Sequence, residues 1–409
     1  MVSKSSKFVH HRLQSSSCPD QIFIFGGGRW ARVIAQVLCD MLPPSTHLTM
    51  YSPRGILNVL SWVSKNKLEH RISVEKLWPE TFPHGSSSVI VANAAHDHFA
   101  AASWALERGA DVLVEKPLSM SLRDLQRLIS FASTCKGQLV SAHVFRYTRY
   151  IENFSRLLPC LDRITFARFD WIDPVSEHRH GEQKNYDSTI PVYVDCLPHA
   201  ISVIQSTFQI LPRFAGPPTI SAGGAKVQIP LSVDSCSCIV SLQRNGTHRL
   251  RRLTVKTTED SAVLDFSCEP GFIRLGKKEF DSDPLWDRSP TPLSSLLEAF
   301  LLYSSQGKID ARLELDTGLA ACSIADAITP FYQAHLFSWL FRKLISATDL
   351  SPDAYYAINE LLVPIWNKNK NETTQNLQDR IELLKHRITP YKTSQLTPSQ
   401  IRKILVHLG

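Results

Sequence analysis

No Cys-x-x-Cys pair occurs in the 409 residues, and the nine cysteines are odd in number and scattered. That argues against a disulfide framework and against a zinc or other metal site, and it fits a reducing cytoplasm. No apolar run is long enough to span a bilayer, so no membrane partner is expected. Residues 1–20 are polar and Ser-rich and lack the apolar centre of a secretory signal, so they read as a disordered leader. Basic charge is also missing from most of the chain. The formal +7 divides into +2 in residues 1–20 and +4 in residues 336–409, leaving about +1 for the central body. A nucleic-acid surface on that body is thereby disfavoured. Internal repeats are absent too.

What is present is an α/β pattern. The stretch FIFGGGRWARVIAQVL (23–38) takes a strand over 21–26 through three glycines into a helix over about 29–41. Strands follow at 47–52, 87–93 and 111–117. The run SSVIVAN has the continuous apolar character of a strand covered on both faces. An Ala-rich helix between the last two stops at Gly109. Ser121 and Asp124 have capping-box spacing at the head of a further helix that ends at Gly137, and QLVSAHV is one more strand. This alternation predicts a doubly wound parallel sheet, a Rossmann domain, over residues 21–145. From about 163 to 272 strand-like runs follow one another with few helices. They predict an α+β domain over 146–335 with a large, mostly antiparallel open sheet, and PVYVDCLPHAISVIQSTFQ reads as one helix across it. Cys236 and Cys238 alternate on a strand and share one packed face. Residues 336–409 read as a helical C-terminal extension. It holds a polar linker, NKNKNETTQN, and a last helix capped by Thr397, Pro398 and Gln400.

The glycine turn is the first candidate site. Gly26, Gly28 and Ala31 match G-x-G-x-x-[GA] after a strand and before a helix, the context in which a dinucleotide pyrophosphate binds. The first glycine permits the turn, the second admits the pyrophosphate, and the small third residue lets helix and strand pack. Gly27, Arg29 and Trp30 belong to the same turn, and the helix N-terminus supplies free N–H groups to the phosphates. The second strand ends MYSPRG, with no acid to hold a ribose 2′-hydroxyl. Ser52 and Arg54 suit a 2′-phosphate instead, so the sequence predicts NADP(H) in preference to NAD(H).

At ALERGADVLVEKP (105–117) the chain resembles the glucose–fructose oxidoreductase / inositol dehydrogenase / rhizopine-catabolism group, the Gfo/Idh/MocA oxidoreductases. Asn93, Ala94 and Ala95 stand where that family usually has Thr-Pro-Asn, and His98 takes its His position. AHVFRY (142–147) is similar to the next strand end, and DCLPH (195–199) to the family's D-x-G-x-H helix motif. The resemblance covers roughly residues 21–330. It implies a two-domain NAD(P)-dependent enzyme, a homo-oligomer, that moves a hydride between nicotinamide and a hydroxyl-bearing carbon of a small molecule such as a sugar or cyclitol. Asn93, His98, Glu115, Pro117 and His143 become candidate cofactor neighbours. Lys116 is the candidate proton donor or electrostatic stabiliser. Asp195 and His199, four apart on one helical face, complete the candidate catalytic set. His199 reads as acid/base, and Asp195 as its orienter or as the grip on a second hydroxyl. Arg146, Tyr147, Lys184 and Tyr186 are candidate substrate contacts.

Departures from the family pattern lie at Cys196, Leu197 and Pro198. Leu197 is expected to fill pocket space, and Pro198 to perturb the first helical turn or mark a shifted helix start. Two alternatives stay open: imine reduction in natural-product assembly, and a non-catalytic NADP-sensing protein.

Overall fold

The computed structural model describes residues 21–82, 87–179, 182–184, 189–288 and 290–346. The leader, Tyr186 and the features expected beyond 346 lie outside the described residues.

The first half runs β1 (Gln21–Phe25), α1 (Arg29–Met41), β2 (His47–Tyr51), α2 (Ile56–Lys65), β3 (Ile72–Glu75), β4 (Ser88–Val91), α3 (His98–Glu107), β5 (Asp111–Glu115), α4 (Leu122–Ala132) and β6 (Leu139–Ala142). The six strands form one parallel sheet in the order β3-β2-β1-β4-β5-β6. Strand alternation sends Ile22 and Ile24 to one face, against α1 and α2, and Phe23 and Phe25 to the other, against α3. Both faces are covered, which is why the central strands β1, β4 and β5 are almost wholly buried. Helix α4 starts where its capping box places it, the Ser121 side chain accepting the Asp124 N–H at 3.1 Å. The order reverses between β1 and β4, so their carboxyl ends, at Gly26 and Ala92, flank the crevice in which such sheets bind ligands.

The second half continues with α5 (Arg149–Leu157), β7 (Ile164–Pro174), β8 (Glu177–Arg179), β9 (Glu182–Lys184), α6 (Val192–Phe208), β10 (Arg213–Phe214), β11 (Thr219–Ser221), β12 (Lys226–Val233), β13 (Cys236–Gly246), β14 (Leu250–Thr257), β15 (Ser261–Asp265), β16 (Phe272–Leu275), β17 (Lys278–Asp281), α7 (Pro292–Gln306) and α8 (Asp316–Ser346). A nine-stranded sheet runs β10-β12-β13-β7-β14-β15-β16-β17, with β11 also on β12. Only the β13–β7 pair in it is parallel. Every second residue, such as Val227, Ile229 and Leu231 on β12, points under α5, α6 and α8, and Cys236 and Cys238 lie on that buried face. Strands β8 and β9 form a separate hairpin.

Three features differ from the sequence reading. Helix α6 neither starts late nor breaks: it begins at Val192 and carries Pro198 inside. Leu197 is fully buried in the core between α6 and the sheet, so it does not crowd a pocket. The expected domain limits also move. Helix α7 folds back on the first domain, placing Leu293, Leu296, Leu297 and Phe300 in the core shared with α1, and α8 continues past 335 to Ser346. Its Leu336 is buried, because Gly224 and Gly223 let it and Trp339 approach the backbone.

Candidate active site

The glycine turn divides its labour by packing. A Cβ on Gly26, whose φ is +145°, would stand 2.4 Å from the Ala92 carbonyl oxygen, so only glycine lets β1 turn beside β4. A Cβ on Gly27 would stand 2.2 Å from Ser52 Oγ. Gly28 is exposed and has no atom within 4 Å of that point. It is the N-cap of α1, where no side chain caps the helix and no acid sits in the first turn. Ala31 is fully buried and lets α1 lie close on β1. A bare, open helix N-terminus suits the pyrophosphate of a dinucleotide, so the residues present fit the cofactor. Asn93 adds a buried Oδ1 with no hydrogen-bond partner among the described residues.

Neighbouring candidates have structural duties. Ser52 is buried beneath Gly27, and its N–H donates to the Glu75 carbonyl at 2.9 Å. Arg54 is 78 % exposed and ion-paired with Asp97. His98 is buried, with Nδ1 2.8 Å from the Pro117 carbonyl and Nε2 3.3 Å from that of Asn93, so it ties the ends of β4 and β5 together. Burial holds its pKa below the ordinary value. Glu115 accepts the Lys116 N–H at 3.1 Å and a hydrogen bond from the Trp30 side chain, fastening β5 to the start of α1. Burial pushes its carboxyl up.

Lys116 ends β5 and meets the head of α6. Its Nζ donates to Asp195 Oδ1 at 2.6 Å and to the Asp195 carbonyl at 3.2 Å. Burial works against the ammonium, and Asp195 outweighs it, so the pKa is raised. Burial likewise opposes the Asp195 carboxylate, but Lys116 and then Arg244 hold it well below the usual carboxylate range. Asp195 lies in the first turn of α6, where the helix dipole also favours negative charge. The other carboxylate oxygen accepts from Arg244 Nη2 at 2.9 Å. With both oxygens engaged, Asp195 is an anchor for Lys116 in this arrangement rather than a grip on a second substrate hydroxyl.

His199 lies one turn further along α6. Its ring stacks on Trp171 (centroids 4.8 Å apart, planes at 16°) and meets Phe145 edge-on at 5.2 Å. The Arg251 guanidinium lies 3.4 Å from the Trp171 indole centroid, held by Asp173 and the Ile172 carbonyl. Burial, and then the Lys116 charge, hold His199 well below its ordinary pKa. It is therefore neutral at neutral pH and suited to exchanging hydrogen bonds with a hydroxyl. His143, at the end of β6, is buried with Nε2 unpartnered among the described residues, its pKa driven down to about 3 by burial and by Arg146 and Lys116. Lys116, Asp195, His199 and His143 thus converge from three elements.

Arg146 and Tyr147 do not join them. Arg146 donates to the Ala311 carbonyl at 3.1 Å and to Thr317 Oγ1 at 3.3 Å, and Tyr147 packs under Arg312. Both border a separate cavity of about 800 Å³ that also touches Gln205 and Gln209. Gln205 is six residues beyond His199, about 9 Å along the helix axis. Lys184 closes β9. That hairpin reaches the first domain, where Glu182 grips Arg32 at 2.6 Å while Arg32 also donates to the Gly27 carbonyl. Sequence reading missed Arg244, Trp171, Arg251 and the Arg32–Glu182 pair. The one signal was an arginine falling on the inward register of β13 and another on that of β14. Among the described residues no cluster of side chains could hold a metal ion, and no helix is long and apolar enough to cross a membrane.

Residues 22–143 match the family model described as the Gfo/Idh/MocA oxidoreductase family, NAD-binding Rossmann fold. Over these residues the chain therefore carries an NAD-binding Rossmann domain of the Gfo/Idh/MocA oxidoreductase type. No curated protein matches the sequence. Among solved structures, the chain is similar to UDP-N-acetylglucosamine 3-dehydrogenase from Acidithiobacillus ferrooxidans, at 16% identity over 77% of this chain and 98% of that one, with a TM-score of 0.59. It is also similar to KijD10, a 3-ketoreductase from Actinomadura kijaniata solved with TDP-benzene and NADP, at 14% identity, 76% and 97% coverage and a TM-score of 0.61. A dehydrogenase, MviM, from Clostridium difficile shares 13% identity over 76% and 99%, with a TM-score of 0.58. At these identities the likeness is one of fold.

Proposed function

We propose that the protein is an NADP(H)-dependent oxidoreductase. It transfers a hydride between nicotinamide and the hydroxyl- or carbonyl-bearing carbon of a small polyol-, sugar- or keto-type substrate. The observation that carries the reading is the Lys116–Asp195 contact of 2.6 Å at the carboxyl end of β5, with His199 on the same face of α6. When bound, the cofactor supplies or accepts the hydride. Lys116 holds a proton at Nζ next to the substrate oxygen and gives it up as charge develops there. Asp195 keeps that amine charged and aimed. Neutral His199, its plane fixed by Trp171, exchanges a hydrogen bond with a substrate hydroxyl. Gly28 and the open N-terminus of α1 receive the pyrophosphate.

The preference for NADP(H) rests on the end of β2, Tyr51-Ser52-Pro53-Arg54, which has no carboxylate to meet a ribose and offers the exposed Arg54, a cation that would have to exchange Asp97 for a 2′-phosphate. KM values for the two cofactors test it, and a lower value for NAD(H) refutes it. For the reaction, NADPH absorbance is followed against sugars, cyclitols, keto acids and cyclic imines. Lys116→Ala is expected to lower kcat by about 10²–10⁴-fold with NADPH binding retained. Unchanged turnover in that variant removes Lys116 from the mechanism. A reducing cytoplasm is the expected location, and light scattering tests the expected homo-oligomer.

A further inference from the structure

The Asp195 carboxylate is shared by two cations. Oδ1 takes Lys116 Nζ at 2.6 Å and Oδ2 takes Arg244 Nη2 at 2.9 Å. The Arg244 side chain is 1 % exposed, and its Nη1 donates to the Ile190 carbonyl at 2.7 Å. One arm of the guanidinium therefore sits on the carboxylate, and another on the segment that leads into α6. We propose that Arg244 is a positioning residue that sets the proton affinity of Lys116, by holding one side of the Asp195 carboxylate and placing a permanent positive charge behind it. The inference rests on the reading of Lys116 as proton donor.

A lysine paired alone with a buried carboxylate is a poor acid, because the whole negative charge favours the ammonium. A second cation on the other oxygen divides that attraction and repels the ammonium across a few ångströms of protein. Arginine suits the task because it does not deprotonate, so only one of the two cations exchanges a proton. The remaining groups facing Lys116 leave this balance intact. Cys196 on α6 has its thiol pushed up to about 12 by burial, and stays neutral. His199 on the same helix, His143 after β6 and His98 on α3 are held neutral by burial. Glu115, on the lysine's own strand, is buried with a raised pKa. Asp195 thus supplies the main attraction on the amine, to which Glu115 adds when ionised, and Arg244 holds the other oxygen of that carboxylate.

The test reads Lys116 directly and needs no substrate. Full-length protein is pulse-labelled with acetic anhydride across a pH series, and acetylation at residue 116 is measured by mass spectrometry. Wild type is compared with Arg244→Met, Arg244→Gln and Arg244→Lys, with folding checked by circular dichroism. Loss of the charge in the Met and Gln variants is expected to raise the Lys116 midpoint by about one pH unit, which slows labelling about tenfold at a fixed pH below it. Arg244→Lys is expected to keep the midpoint within a few tenths of a unit. A common midpoint in all four proteins overturns the proposal. So does failure of the Met and Gln variants to fold, which makes Arg244 a strut and nothing more. Turnover of Lys116→Ala is a separate arm: its survival removes the donor reading and leaves the labelling result to stand or fall by itself.

Discussion

Three histidines, His98, His143 and His199, are held neutral by burial around one lysine, and this has a consequence for stability. Each binds a proton more readily in the unfolded chain than in the folded one. The stability they contribute is full above the unfolded pKa of about 6.5 and is lost as the pH falls below it. For His143 the loss continues down toward its folded value of about 3. At pH 5.5 that residue alone is expected to cost about 1.4 kcal/mol. Urea unfolding of wild type and His143→Gln at pH 7.5 and 5.5 checks this, the variant losing less on acidification. An equal loss in both proteins contradicts it. Lys116, Asp195 and His199 could be named as candidates from the sequence because short motifs that resemble the family's carry them: a strand-ending Glu-Lys-Pro, and an Asp and a His four apart on a helix. Arg244, Arg251 and Trp171 could not. They reach the site across neighbouring strands, and nothing in a single sequence states which strands become neighbours.

At the scale of elements, the glycine turn separates packing from binding. Gly28→Ala adds a methyl group where nothing stands within 4 Å, so the fold is expected to tolerate it. That methyl intrudes where the pyrophosphate must approach, and NADPH affinity is expected to fall tenfold or more, which isothermal titration measures. Gly27→Ala meets Ser52 and Val59 and is expected to cost about 1–3 kcal/mol of stability in addition. Equal thermal midpoints for the two variants would contradict this division. The turn, the capping box of α4 and the alternation of β12 and β13 were all readable, because each is written in a few consecutive residues. The continuity of α6 through Pro198 was not. Local preference argues for a break there, and burial of Val194, Leu197 and Ile201 on both sides of the proline overrides it.

For the whole molecule, the line drawn at residue 145 does not isolate a finished domain. Helix α7 supplies Leu293, Leu296, Leu297 and Phe300 to the core that α1 and α2 share. A fragment of residues 21–145 is expected to expose that face and to give a poorly dispersed NMR spectrum, with recovery when residues 292–306 are fused to it through a flexible linker. A well-dispersed spectrum from the fragment alone contradicts the expectation. An amphipathic pattern tells that a helix is half-buried and not against which partner, so α7 was visible in the sequence while its destination was hidden. During synthesis the ribosome releases α1 early and α7 late. The first sheet must therefore wait, with one oily flank uncovered, until nearly the whole described chain has been made, and in that interval a chaperone or a companion chain has the opening that α7 later closes.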